Sequence, residues 1–215
     1  MLELDRITAT KTNRLAQECD KIFTLDSNVK SAIANTNREM FVPAGFKQNA
    51  YKLDALPLAS AQWISSPLTV AKMTQYLQTD GADRVLEVGC GSGYQAAVLS
   101  HLFRGVFTIE RIESLMIEAK SKFRELKITN IHTRIEDGQN GWHQYAPYDR
   151  ILFSATAKEI PKKLFEQLSD GGILVAPLQK GSKQIITRFV KNGSVIKREE
   201  LEECDFVPIL DGIQK

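Results

Sequence analysis

The run Glu87-Val88-Gly89-Cys90-Gly91-Ser92-Gly93 carries the plainest chemical signal in the 215-residue chain. Gly89, Gly91 and Gly93 remove side chains where a backbone must approach a ligand or take a positive φ. An apolar, strand-like segment precedes the run, and a helical one opens near Tyr94. The free N–H groups and partial positive charge of a helix N-terminus therefore stand behind the glycines. The spacing is G-x-G-x-G, whereas the dinucleotide fingerprint is G-x-G-x-x-G, and Tyr94 stands where that fingerprint needs its last glycine. NAD or FAD is the weaker reading.

Two further carboxylates narrow the ligand. Glu110 ends the next strand-like run, about twenty residues on, where a carboxylate accepts hydrogen bonds from a ribose diol. Asp137 and Gly138 close a third run at the same sheet edge, and Glu87 is placed to bond backbone or a ligand's amino-acid part. Acidic residues suit a ligand carrying an ammonium and a sulfonium and would repel a pyrophosphate. S-adenosylmethionine is the cofactor expected at Glu87, Gly89, Gly91, Gly93, Glu110, Asp137 and Gly138. A plain tight turn beside ordinary strand-end carboxylates explains each residue singly but not the set.

Other reactive residues point elsewhere. His101, His132 and His143 have no metal-ligand spacing and no evident nucleophile or acid partner, so they read as structural, and no metal is expected. Cys19, Cys90 and Cys204 are odd in number and far apart, which fits neither a zinc site nor a disulfide framework. Cys90 reads as a small buried residue, and Trp142 is expected to pack beside the adenine pocket. With 28 Lys and Arg against 26 Asp and Glu, interleaved along the chain, no basic face for nucleic acid is expected. The N-terminal stretch has no apolar core of a leader peptide, and no apolar run approaches the roughly 20 residues of a membrane span. A cytoplasmic protein, without a membrane partner and monomeric, is the expectation.

The elements that must hold these residues follow from periodicity. A polar helical pattern runs from Thr12 to about Asn35, then an irregular, aromatic-rich stretch leads to Ser65-Ser66-Pro67. There a helix should begin, with Ser66 as its cap and Pro67 at its first position, and run to about Leu77. RVLEVG, GVFTIE, IHTRIED, YDRILFSA and GGILVAP read as strands separated by helices, the pattern of a parallel sheet. Ile112, Met116, Ala119, Phe123 and Leu126 give one apolar helix face, and IPKKLFEQL is a helix with Pro161 in its first turn. QIITRFVK and SVIKREE alternate around Lys191-Asn192-Gly193, an Asn-Gly hairpin signal. The expected fold is α/β: a doubly wound, mostly parallel class I methyltransferase sheet with a C-terminal antiparallel hairpin. Its expected parts form one domain: helices and irregular loop over 1–78, cofactor core over 79–178, closing strands over 179–215.

The runs DRVLEVGCGSGYQAAVLSHL, FTIERI, EDGQNGW, APYDRI and IPKKLFEQLSDGGILVAP resemble the protein-L-isoaspartate O-methyltransferase family. Upstream, REMFVP, NAY and LPLASAQWISSPLTVAKM resemble its substrate loop, and DFVPILDG resembles its closing segment, from about Asn28 to the C-terminus. Tyr94 and Gln95 after the glycines carry the resemblance further than the glycines do and join the cofactor set. The resemblance implies methylation of the α-carboxylate of L-isoaspartyl residues in damaged proteins or peptides. The ester then closes to a succinimide with loss of methanol and reopens partly to aspartate, a repair. It places the active-site serine on Ser65, substrate contacts on Gln62, Trp63 and Ile64, a cleft wall on Ser154, Ala155 and Thr156, and closing contacts on Val207 and Pro208.

The substrate loop departs from the family pattern Pro-Ile-Gly-x-Gly-Gln-Thr-Ile-Ser. Here it reads Pro57-Leu58-Ala59-Ser60-Ala61-Gln62-Trp63-Ile64-Ser65, with both glycines replaced and a tryptophan in place of the threonine. Lost glycines stiffen a loop that has to close, and Trp63 either fills part of the pocket or points away from it. Two other functions stay open on the residues alone. One is a class I methyltransferase with another substrate, such as RNA or a small molecule; the other is a non-catalytic module that binds cofactor or peptide.

Overall fold

The computed structural model describes residues 4–215; the first three residues of the N-terminal stretch lie outside the described residues. Helix α1 (Arg6–Ile22) opens on Asp5, whose carboxylate accepts the Ile7 and Thr8 amides. The helical pattern expected from Thr12 to Asn35 is in fact two helices. The backbone turns extended at Phe23, the Asp20 carboxylate accepts the Leu25 amide, and α2 (Ser27–Ala34) starts anew after Asp26. Short 3-10 turns carry the chain through Arg38–Phe41 and Ala44–Asn49 to a small hairpin of β1 (Leu56–Pro57) and β2 (Trp63–Ile64). Helix α3 (Pro67–Tyr76) begins as its sequence requires, with the Ser66 hydroxyl accepting the Thr69 amide at 3.0 Å and proline at the first position.

The main sheet has seven strands: β3 (Arg84–Val88), β4 (Gly105–Glu110), β5 (Ile131–Ile135), β6 (Tyr148–Phe153), β7 (Leu168–Lys180), β8 (Lys183–Asn192) and β9 (Val195–Cys204). Their spatial order is β5-β4-β3-β6-β7-β8-β9; the first five are parallel and the last two antiparallel. Between β3 and β4 lies α4 (Tyr94–Leu99), between β4 and β5 lies α5 (Glu113–Glu125), and α6 (Lys162–Glu166) precedes β7. Pro161 stands just outside α6 as its cap, because ψ 133° keeps it extended. The hairpin turn also sits one residue later than expected. Asn192 pairs with Val195, so Gly193 (φ 58°) and Ser194 form the turn, with positive φ only at the first, the II′ pattern.

Strands buried on both faces explain the continuous apolar runs in the sequence. One face packs Val85, Val106, Leu152 and Val175 under α1 to α5. The other packs Leu86, Phe107, Tyr148, Ile151 and Leu174 under α6 and Trp142. Strand order reverses between β3 and β6, so the loops after these neighbours splay apart and leave a crevice at the carboxyl edge. Among the described residues, no helix is long and apolar enough to cross a membrane.

Candidate active site

The loop after β3 is pinned before any ligand is considered. The Gly89 and Cys90 amides both donate to the Ile109 carbonyl, at 2.9 and 3.2 Å. Glu110 then braces the loop from the end of β4: one carboxylate oxygen accepts the Gly91 amide at 2.8 Å, and the other accepts the Ile112 amide at 2.9 Å. Gly93 takes φ 89°, and a Cβ there would lie 2.8 Å from the Phe123 ring. Gly138 faces a similar limit, since a Cβ would stand 2.5 Å from Val88 Cγ1. At these two positions it is close packing against Phe123 and Val88 that requires glycine. Gly89 (φ 95°) and Gly91 (φ 53°) turn the backbone of the loop through the left-handed region and shape it into a cradle.

Over this cradle opens a cavity with about 990 Å³ of space, solvent at its mouth included. Of the expected cofactor residues, Gly89, Gly91, Tyr94, Gln95, Glu110 and Gly138 line it. Glu87, Gly93 and Asp137 do not. Glu87 lies wholly buried under the loop, where Thr108 Oγ1 donates to Oε2 at 2.5 Å and Oε1 has no partner. Burial pushes its carboxyl up to about 8, with the Glu110 charge adding to the rise and the Thr108 bond opposing it. Asp137 ties the C-terminal tail instead: its Oδ2 accepts the Gly212 amide at 3.0 Å. Trp142, expected beside the adenine pocket, packs on the far face of the sheet against Phe107, Tyr145 and Tyr148. Cys90 is buried, and burial raises its thiol well above the usual range, which disfavours the thiolate a nucleophile needs.

A second cavity lies beside the first, and the two share Trp63, Ser65, Thr69, Ser154, Phe206 and Val207. Gln62, Ile64, Ala155 and Pro208 line the first cavity as well. Thr156 lines neither; its backbone pairs with the tail, donating to Val207 O and accepting from Ile209 N, each at 2.8 Å. Trp63 is 55% exposed at the rim, so the tryptophan borders the pocket rather than plugging it. The hairpin turn ahead of it is tight. Gln62 N donates to Ala59 O at 3.2 Å, and Ser60 (φ 57°) and Ala61 (φ 54°) both sit in the left-handed region.

Two residues that the sequence did not single out hold this half together. Gln184, in β8, accepts from Thr156 Oγ1 (2.6 Å) and Phe206 N (2.7 Å) and donates to Phe206 O (3.0 Å). Arg38 is fully buried and donates to the carbonyls of Ala50, Asp54 and Ser65 at 2.7, 3.1 and 3.1 Å. No local signal marks either one. A lone arginine in a polar stretch reads as surface, and a glutamine in an alternating strand reads as the solvent face.

Five parallel strands that reverse order beside a glycine cradle, continued by antiparallel strands, make this chain a class I, S-adenosylmethionine-dependent methyltransferase. The model of the protein-L-isoaspartate (D-aspartate) O-methyltransferase family matches residues 9–214, and the chain belongs to that family. A protein-L-isoaspartate O-methyltransferase of Helicobacter pylori strain G27 is 54% identical over 209 residues, covering 97% of this chain and all of that one. One from Maricaulis maris is 46% identical over 187 residues, with 87% of this chain and 88% of that one covered. A Plasmodium falciparum protein assigned to the same activity, solved with S-adenosyl-L-homocysteine, superposes with a TM-score of 0.82. It is 18% identical, with 93% of this chain and 98% of that one covered, a likeness that speaks for the fold.

Proposed function

We propose that this chain repairs damaged proteins by moving a methyl group from S-adenosylmethionine to the α-carboxylate of L-isoaspartyl residues, with Ser65 at the point of transfer. The observation that carries this reading is the wall common to both cavities: Ser65 faces the glycine cradle on one side and an open groove on the other. When bound, the cofactor supplies a methyl group on a sulfonium, already electrophilic. The chain works as one domain in which residues 79–178 hold cofactor while 1–78 and 179–215 close over the peptide.

The Gly89, Gly91 and Gly138 backbone and the Glu110 carboxylate would hold the cofactor, with Tyr94 and Gln95 behind them. Glu87, Gly93 and Asp137 serve it indirectly, by supporting the loop and the tail. No general base is needed, because a carboxylate with an ordinary acidity near 4 is ionised at neutral pH. What is left to the chain is orientation and the exclusion of water. Among the described residues, the Ser65 hydroxyl has no hydrogen-bond partner, so it is free to donate to the substrate carboxylate. The second cavity is lined by Ala55, Trp63, Phe206 and Val207 together with Ser65, Ser66, Thr69, Ser154, Gln184 and Asp205, and by no lysine or arginine. Hydroxyl and amide groups rather than a cation would therefore meet the carboxylate, which stays free of an ion pair that would blunt it as a nucleophile.

The reading is tested with radiolabelled cofactor and a peptide pair differing only in isoaspartate against aspartate. Label should pass to the isoaspartyl peptide as a base-labile ester and not to its partner. Cofactor binding without transfer to either would overturn it.

A further inference from the structure

We propose that Arg38 is a positioning residue for methyl transfer, a buried cation that fixes the Ser65 segment against the cofactor-side helix through main-chain carbonyls. The inference rests on the function proposed above. Arg38 is the largest of the fully buried side chains, and it has no carboxylate within ion-pair distance among the described residues. A buried guanidinium without a counter-ion is costly, and an apolar side chain of similar volume usually serves stability as well or better. Its partners show what it does instead. Nη1 bonds the Ala50 carbonyl, and Nη2 bonds those of Asp54 and Ser65, three points of the irregular segment that builds one wall of the cleft. The guanidinium carbon lies 5.6 Å from the centre of the Tyr94 ring, and Tyr94 opens α4 and lines the cofactor cavity.

The arginine therefore joins the two halves of the site, one residue deep behind both walls. Its fork is what the geometry uses. A lysine could keep the charge but not reach carbonyls at residues 50, 54 and 65 from two nitrogens at once. Arg38 Nε and the Tyr94 hydroxyl are buried with no partner. These two polar groups lie at the junction where the substrate segment meets the cofactor helix, so this contact is not one that stability alone selects.

The test uses the full chain with Arg38→Lys, Arg38→Met and Ser65→Ala, singly and with Arg38→Lys combined with Ser65→Ala. Turnover of an isoaspartyl peptide, calorimetric binding of S-adenosylhomocysteine and thermal melting are measured on each. A displaced reacting group costs about 10²-fold in rate. Arg38→Lys should therefore lose ~10-fold or more in kcat while its Kd for S-adenosylhomocysteine stays within ~3-fold. Its effect on kcat should largely vanish in the Ser65→Ala background, because a residue that acts through Ser65 has nothing left to position. Additive losses in that cycle, equal losses of kcat and cofactor affinity, or a kcat within ~3-fold of the parent in a folded variant would each overturn it. Failure of both Arg38 variants to fold would overturn it too, by making the arginine a residue of stability. Absence of turnover by the unsubstituted chain would strike the proposed function instead.

Discussion

The two halves of the site are built by different means. On the cofactor side, positive φ falls on Gly89, Gly91 and Gly93, and the loop is fixed by backbone bonds to β4 and by Glu110 one strand away. On the substrate side, positive φ falls on Ser60 and Ala61, and the segments are held by long reaches from Arg38 and Gln184. The first half uses residue types that declare themselves, glycine where φ is positive and a carboxylate at the end of the next strand. The second puts positive φ on residues with a Cβ and its braces on an arginine and a glutamine in positions nothing marks, so it can drift in residue type while keeping its form.

If that division is real, Glu110→Ala should have the largest effect and confine it to one half. It removes a charged acceptor from two amides, each bond worth roughly 1.5–3 kcal/mol. The expected result is ~10²-fold weaker binding of S-adenosylhomocysteine by calorimetry, with peptide KM at saturating cofactor within ~3-fold. Comparable losses in both would break the comparison.

Glu87 gives a test by pH on the same side. Burial raises its folded-state carboxyl to about 8 from the ordinary 4.5, so the folded chain binds a proton that the unfolded chain has released. Between these values the unfolded state gains by ionising, so the contribution of Glu87 to stability falls as pH rises, by up to ~1.4 kcal/mol per pH unit. Glu87→Gln should remove this slope. Urea unfolding of the parent and the variant at pH 5 and pH 8 measures it, and the variant's advantage should grow toward pH 8.

This contrast also explains what the sequence revealed. The parallel sheet, the glycine loop, Glu110 and the Ser66 cap are legible because strand burial, glycine spacing and helix capping act over a few residues. The split between α1 and α2 is not, since it depends on Asp20 reaching the Leu25 amide. Asp137 and Thr156 do lie at the expected edge of the sheet. Asp137 Oδ2 and the Thr156 backbone, however, bond the C-terminal tail, which only the folded chain brings near. Trp142 faces the other core layer for the same reason. The family resemblance marks Ser65, but nothing local connects it to Arg38, 27 residues away.

On the substrate side, Gln184→Ala should act in the opposite sense to Glu110→Ala. It frees Phe206 from a bidentate amide clamp and Thr156 from its acceptor, a loss of roughly 0.5–1.5 kcal/mol per net bond. Peptide KM should rise ~10-fold. Cofactor affinity should change less, because Asp137 and Arg111 still hold the tail at Gly212. Steady-state kinetics in both substrates separates the two outcomes, and a matching rise in cofactor Kd would merge the halves.

The smallest effect probes the hairpin turn itself. The family pattern has glycine at positions 59 and 61, yet only Ala61, with its neighbour Ser60, takes the left-handed conformation here. A residue with a Cβ is strained there by roughly 1–2 kcal/mol, while glycine costs about 0.4–1 kcal/mol through the freedom it adds to the unfolded chain. Ala61→Gly should therefore raise the urea-unfolding free energy by about 0.5–1 kcal/mol. Ala59→Gly, with no strain to relieve, should lower it by about 0.4–1 kcal/mol. Opposite signs at two positions two residues apart would show that this half keeps a glycine's geometry without the glycine. Equal signs would place the strain elsewhere.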